Sequence, residues 1–185
     1  GASAPVSPLS TWRGGPGGEV MSKSFAFLGA GNMAEAFCSG LIGKGLARPQ
    51  DIVACDVRPR EEIAWLERLN ITRFAPAAEA ARRSEVVVVC LKPKDVPGVL
   101  AGLAQSLQPA DLESRLFISI AAGVPTAKLE AALAPAKARV IRVMPNTPAM
   151  VGQGASAFCL GRNATPADAE TAAGVLKSLG LAVRV

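Results

Sequence analysis

A chain of 185 residues is enough for one good-sized domain and too short for two full ones. With 50% apolar and 19% charged residues it has material for a real core, which excludes a disordered chain, and no apolar run approaches the roughly 20 residues that span a bilayer. The net charge of +5 comes from scattered Lys and Arg among sparse aromatics, which excludes the dense basic stripe of a nucleic-acid binder and suits an anionic small ligand.

Residues 1–20, GASAPVSPLSTWRGGPGGEV, are rich in Gly, Pro and Ser and have no periodicity or apolar signal core. They are expected to be a disordered leader or an expression remnant, with the folded domain over 21–185. From Ser24 the chain alternates. Apolar, β-branched runs predict strands at Phe25–Leu28, Ile52–Cys55, Ile71–Phe74, Val86–Leu91, Leu116–Ile120, Val140–Met144, Ala155–Leu160 and Leu181–Val185. Ala/Leu/Glu-rich stretches between them predict helices at Met33–Ile42, Arg60–Leu69, Ala77–Arg83, Val96–Leu107 and Thr126–Leu133. A last helix begins near Thr165, where TPAD places Thr at the cap, Pro at the first position and an acid in the first turn. Strand-helix alternation predicts an α/β, Rossmann-type doubly wound fold. Its sheet is mostly parallel, of about eight strands, with helices on both faces.

SFAFLGAGNMAEAF carries the pattern G-x-G-x-x-G/A on Gly29, Gly31 and Ala34. It follows an apolar strand and opens a helix, the context that makes it a dinucleotide turn. Gly29 permits the tight turn, Gly31 lets a pyrophosphate approach the backbone, and Ala34 lets helix and strand pack closely. The helix N-terminus then offers free N–H groups to the phosphates. At the end of the second strand, Asp56 reads as the acid that bonds a ribose 2′-hydroxyl and favours NAD, while Arg58 and Arg60 favour the 2′-phosphate of NADP. A third reading has Asp56 capping a helix near Pro59 with the arginines solvated. Three more turns, CLKPKD, SIAAGVP and VMPNTPAMVGQG, fall at strand ends and offer small residues, prolines and a few polar groups. They suit a rim that holds a flat ring rather than an acid–base site.

The chain has no histidine, and Cys38, Cys55, Cys90 and Cys159 are far apart with no CxxC. No metal site is expected, and the cysteines read as buried free thiols of a reducing compartment.

FLGAGNMAEAF, VVVVCLKPKDV, FISIAAGV and RVIRVMPNTPAMVGQG, in this order, closely resemble the pyrroline-5-carboxylate reductases over about Phe25 to Val185. The resemblance implies an NADP-dependent oxidoreductase (NAD being possible). It would pass hydride to the C=N bond of 1-pyrroline-5-carboxylate, giving proline in the cytoplasm, with no nucleic-acid or membrane partner. It implies that Leu28, Gly29, Ala30, Gly31, Asn32 and Met33 hold the pyrophosphate, and that Asp56, Val57 and Arg58 meet the adenosine ribose. Cys90, Leu91, Lys92 and Pro93 would line the cleft. Ala121, Ala122 and Gly123 would flank the nicotinamide, with Asn146 and Thr147 as its floor. No residue is singled out as catalytic.

Two departures accompany the resemblance. A cofactor-touching asparagine of some relatives is replaced here by Ala78. The family's C-terminal helical domain, which supplies the dimer interface and most of the substrate carboxylate site, has no counterpart in these residues. The chain is therefore expected to be the cofactor-binding part, with little turnover alone. The alternatives are a stand-alone regulatory nucleotide-binding module, or a hydroxyacid or coenzyme-F420-linked reductase of the same fold, against which RVMPNTP argues.

Overall fold

The computed structural model describes residues 23–146, 148 and 153–185. The proposed leader, residues 1–20, lies outside them. Eight strands form one sheet in the order β3-β2-β1-β4-β5-β6-β7-β8. They are β1 (Phe25–Leu28), β2 (Ile52–Cys55), β3 (Arg73–Phe74), β4 (Val86–Val89), β5 (Leu116–Ser119), β6 (Arg139–Met144), β7 (Gly154–Leu160) and β8 (Gly180–Arg184). All neighbours pair in parallel except β6 with β7. The expected fold class is the one observed.

Helices α1 (Asn32–Gly43), α2 (Ala64–Arg68), α3 (Ala77–Arg82), α4 (Val96–Ser106), α5 (Pro109–Glu113), α6 (Thr126–Ala132) and α7 (Pro166–Lys177) cover the sheet. Successive strand residues point to opposite faces, so β1 feeds two cores. Phe25 and Phe27 join Phe37 and Leu41 of α1, Trp65 of α2 and Leu176 of α7. Ala26 and Leu28 join Ala80 of α3, Leu100 of α4 and Leu129 of α6. All four residues of β4, Val86–Val89, are buried, as a central strand covered on both faces requires. At the far side, Met144, Leu181 and Val183 are 61%, 64% and 46% exposed, so the outer strands leave an apolar face open.

Several elements differ from expectation for identifiable reasons. The stretch Arg60–Leu69 is not one helix: a 3-10 turn, Arg60–Glu62, is separated from α2 at Ile63. There the backbone leaves helical geometry (φ −116, ψ 74) and Ile63 is buried with Trp65. β3 is only Arg73–Phe74, paired with Val53 and Ala54 of β2 at one edge of the sheet. Ile71, expected as strand, instead fills the core. The run Val86–Leu91 is strand only to Val89, since Cys90 and Leu91 turn away to pack beside the cores. α5 was not expected; Pro109 starts this short helix at its first turn. The α7 cap is as read: the Thr165 side chain accepts from the Asp168 N–H.

Candidate functional site

The register aligns the ends of the parallel strands. Leu28 pairs with Cys55 and with Val89, and Val89 with Ser119. The residues that follow, Gly29, Asp56, Cys90 and Ile120, therefore leave the sheet along one edge. The chain runs outward from β1 to β2 and β3, then returns to place β4 on the other side of β1. This reversal opens a crevice above β1 and β4, where ligands of such folds sit.

The glycine turn spans that crevice. The Gly29 N–H donates to the Cys55 carbonyl at 2.8 Å, and the Cys90 N–H to the Leu28 carbonyl at 2.8 Å. Gly29 has φ +92, and a Cβ there would lie 2.5 Å from the Cys90 carbonyl oxygen. Both facts require glycine. Gly31 is different. Its φ is −82, and a Cβ on it would meet nothing among the described residues within 4 Å. The protein itself does not need glycine at 31, so the space it leaves belongs to whatever approaches the turn from outside. Gly31 also opens α1, and no side chain caps that N-terminus, as at α2 to α6. A helix start with uncapped N–H groups and an open approach fits a phosphate. A dinucleotide therefore fits the residues present.

The turn is held from below. The Ala30 N–H donates to Asp56 Oδ2 at 2.7 Å. The Ala30 carbonyl accepts from Arg58 Nη2 at 2.9 Å and from Trp65 Nε1 at 3.1 Å. Arg58 Nε and its backbone N–H both donate to Asp56 Oδ1 at 3.0 Å. Burial pushes the Asp56 pKa up, but the hydrogen bonds from Arg58 and Ala30 outweigh it and bring it to about 2. Asp56 thus closes a local turn on the residue two ahead. It does not cap the turn at Arg60, whose cap position is Pro59. Arg58 and Arg60 also separate: Arg60 Nη2 donates to the Ile71 carbonyl at 3.3 Å, toward the core side.

The remaining candidates distribute along the same edge. Leu28 and Ala30 are buried, Asn32 is exposed, Met33 is half-buried, and Val57 is fully exposed. After β4, Cys90 and Leu91 are half-buried while Lys92 and Pro93 face solvent. Burial pushes the Cys90 thiol far above its ordinary value, so it is a packing residue rather than a nucleophile. After β5, Ala121 is buried, and Ala122 and Gly123 are exposed, Gly123 at φ +74. Asn146, two residues past β6, is exposed, and its Oδ1 accepts from the Ala155 N–H at 2.9 Å. That carbonyl is spent on shaping the return into β7. Thr147 lies outside the described residues. Ala78, half-buried on α3, packs beside the second core.

Two residues of this site carry no sequence signal strong enough to find them. Trp65 reaches Ala30 across 35 positions; its only hint is that a buried indole N–H needs an acceptor. Arg68 pairs with Glu35 in the first turn of α1, which positions that helix from the neighbouring α2.

The family model described as NADP oxidoreductase, coenzyme F420-dependent, matches residues 24–123. The pyrroline-5-carboxylate reductase of Methanosarcina acetivorans is 35% identical over 164 residues, which cover 89% of this chain and 59% of that protein. The solved pyrroline-5-carboxylate reductase of Coxiella burnetii superposes with a TM-score of 0.79 at 27% identity, covering 89% of this chain and 59% of that one. A pyrroline carboxylate reductase of Plasmodium falciparum, solved with NADP bound, superposes with a TM-score of 0.75 over 90% of this chain and 58% of that one. At 23% identity it shows the shared fold. The chain spans less than two thirds of the length of each of these proteins.

Proposed function

The chain belongs to the NADP oxidoreductase, coenzyme F420-dependent family, and from that premise we propose that it is the cofactor-binding part of a pyrroline-5-carboxylate reductase, with NADP as cofactor. The observation that carries the reading is the turn: Gly31 leaves an approach that no atom of the described residues fills, over a helix start that none of their side chains caps. The 35% identity to a pyrroline-5-carboxylate reductase across 89% of the chain supports the choice of reaction.

When bound, the reduced nicotinamide supplies the hydride for the C=N carbon of 1-pyrroline-5-carboxylate. This chain's residues bind and orient. Backbone N–H groups at Gly31 to Met33 would hold the pyrophosphate, Asp56 and Arg58 would lie at the adenosine ribose, and Ala121 to Gly123 would form a small-residue wall beside the ring. An iminium carbon is already electrophilic, so the step asks for alignment of two rings more than for a strong base. A site furnished with small residues, in a chain that has no histidine, agrees with that demand.

The substrate carboxylate and the contact between subunits are assigned to a helical domain corresponding to the relatives' further length. The exposed Met144, Leu181 and Val183 give such a domain an apolar surface to cover. A reducing, cytoplasmic setting agrees with four free cysteines.

Titration of this chain with NADPH, followed by cofactor fluorescence, tests the reading. The expected result is saturable binding with a dissociation constant below about 1 mM and little reduction of 1-pyrroline-5-carboxylate. Absence of binding would remove the cofactor assignment. Turnover near that of whole relatives would remove the assignment of the substrate site to further sequence.

A further inference from the structure

Asp56 occupies the place where an acid ordinarily accepts a hydrogen bond from the ribose 2′-hydroxyl of NAD. Its carboxylate is already full. Oδ2 accepts from the Ala30 N–H at 2.7 Å and from Arg58 Nη2 at 3.1 Å. Oδ1 accepts from the Arg58 N–H and from Arg58 Nε, both at 3.0 Å. A carboxylate offers about four lone-pair sites, and four donors fill them. A neutral hydroxyl competes poorly for these sites, because the bonds from Arg58 are charge-assisted and two of them come from one rigid fork.

The same arginine keeps a free edge. Its Nε and Nη2 are spent on Asp56 and on the Ala30 carbonyl. Nη1 makes no hydrogen bond among the described residues. The Arg58 side chain is 45% exposed against 11% for Asp56. Arg60, the other cation of the segment, is turned to the Ile71 carbonyl.

We propose that Arg58, through its pairing with Asp56, reverses the cofactor preference that the acid alone would give: it withholds the carboxylate from a ribose 2′-hydroxyl and leaves its Nη1 edge for the 2′-phosphate of NADP. This rests on the reading of the turn as a dinucleotide site. A 2′-phosphate carries close to two negative charges and would be repelled by a bare Asp56. With the guanidinium set between them, each anion meets a cation. Asp56 then acts as a positioning residue, holding both Ala30 and the Arg58 fork.

The test measures dissociation constants for NADPH and NADH, by fluorescence titration, on the native chain, on Arg58→Ala, on Arg58→Gln, on the double variant Arg58→Ala with Asp56→Asn, and on Arg60→Ala. The native chain is expected to favour NADPH by about tenfold or more. Arg58→Ala weakens NADPH by about tenfold and tightens NADH by about threefold or more, because the carboxylate is released to the ribose. Arg58→Gln, which keeps the side-chain stem, moves both constants in the same directions. Adding Asp56→Asn to Arg58→Ala abolishes the gain for NADH. Arg60→Ala leaves the preference unchanged.

No gain for NADH in either Arg58 variant, or a gain that survives in the double variant, would overturn the proposal while leaving the dinucleotide site intact. Failure of the native chain to bind either cofactor would overturn the site and the proposal together.

Discussion

Ala30 donates its backbone N–H to Asp56 Oδ2 across 2.7 Å, so the end of β2 anchors the turn that follows β1. Gly29, at φ +92, lets the turn form. The carboxylate one strand away decides where its central peptide stays, and Arg58 and Trp65 hold the carbonyl of the same residue.

This anchor should fail in acid. The Asp56 pKa lies at about 2 in the folded chain, below the ordinary 3.8. A depressed folded value adds stability above the unfolded value and loses it as the pH falls through the folded one. Between about pH 4 and pH 2 a contribution of about 2 kcal/mol is expected to disappear. Urea denaturation of the native chain and of Asp56→Asn from pH 5 to pH 2 checks this: the gap between them should narrow over that window. A gap that does not change with pH would contradict it.

Two glycines of one motif should respond oppositely. Gly29→Ala forces a Cβ to 2.5 Å from the Cys90 carbonyl at φ +92, and is expected to cost about 2 kcal/mol or more of stability. Gly31→Ala meets no atom of the described residues within 4 Å. Its stability should stay within about 0.5 kcal/mol, while its affinity for NADPH falls about tenfold or more as the methyl enters the approach. Thermal melts and titrations on the two variants separate packing from binding.

Asp168 should be a structural keystone far from the cleft. It accepts from Arg139 Nη1 at 2.6 Å and from the Thr165 N–H and hydroxyl, both at 2.8 Å. Its side chain is only 5% exposed. Asp168→Ala leaves Arg139 without its anion and the start of α7 without half its cap. The expected loss is about 3 kcal/mol. Thr165→Ala, which removes only the cap, should cost about 1 kcal/mol in the same urea experiment.

Arg115 should matter as much although it lies in no motif. It is 5% exposed and donates to the carbonyls of Ala81 and Arg82 at the end of α3 and of Asp111 in α5. Burial lowers its pKa, yet an arginine remains charged. Arg115→Leu fills similar space but leaves the Arg82 carbonyl without its donor and takes one of two donors from the carbonyls of Ala81 and Asp111. A destabilisation of about 2 to 3 kcal/mol is expected, with the dissociation constant for NADPH unchanged within about twofold. Urea melts and titration on one preparation read both.

Chain order and side-chain type alone determined much of this protein. Alternation of apolar runs with helical stretches specified the layers of the fold, because a strand buried on both faces must be apolar throughout, as Val86–Val89 is. The spacing of Gly29, Gly31 and Ala34 specified the turn, because φ +92 and contact with Cys90 leave no room for a side chain at 29. The ends of elements were less legible. Arg60–Leu69 reads as one helix, but the demand to bury both Ile63 and Trp65 breaks it.

Only the tertiary structure decided the fate of the charged residues. In the sequence, Asp56 and Arg58 argue for opposite cofactors; in the fold they are one unit, joined through Ala30 from a different strand end. Trp65, Arg68 and Arg115 were illegible for the same reason, since each has a partner 33 to 35 positions away. Pattern and propensity act over a few residues, and these bonds exist only once the sheet has brought separate turns together.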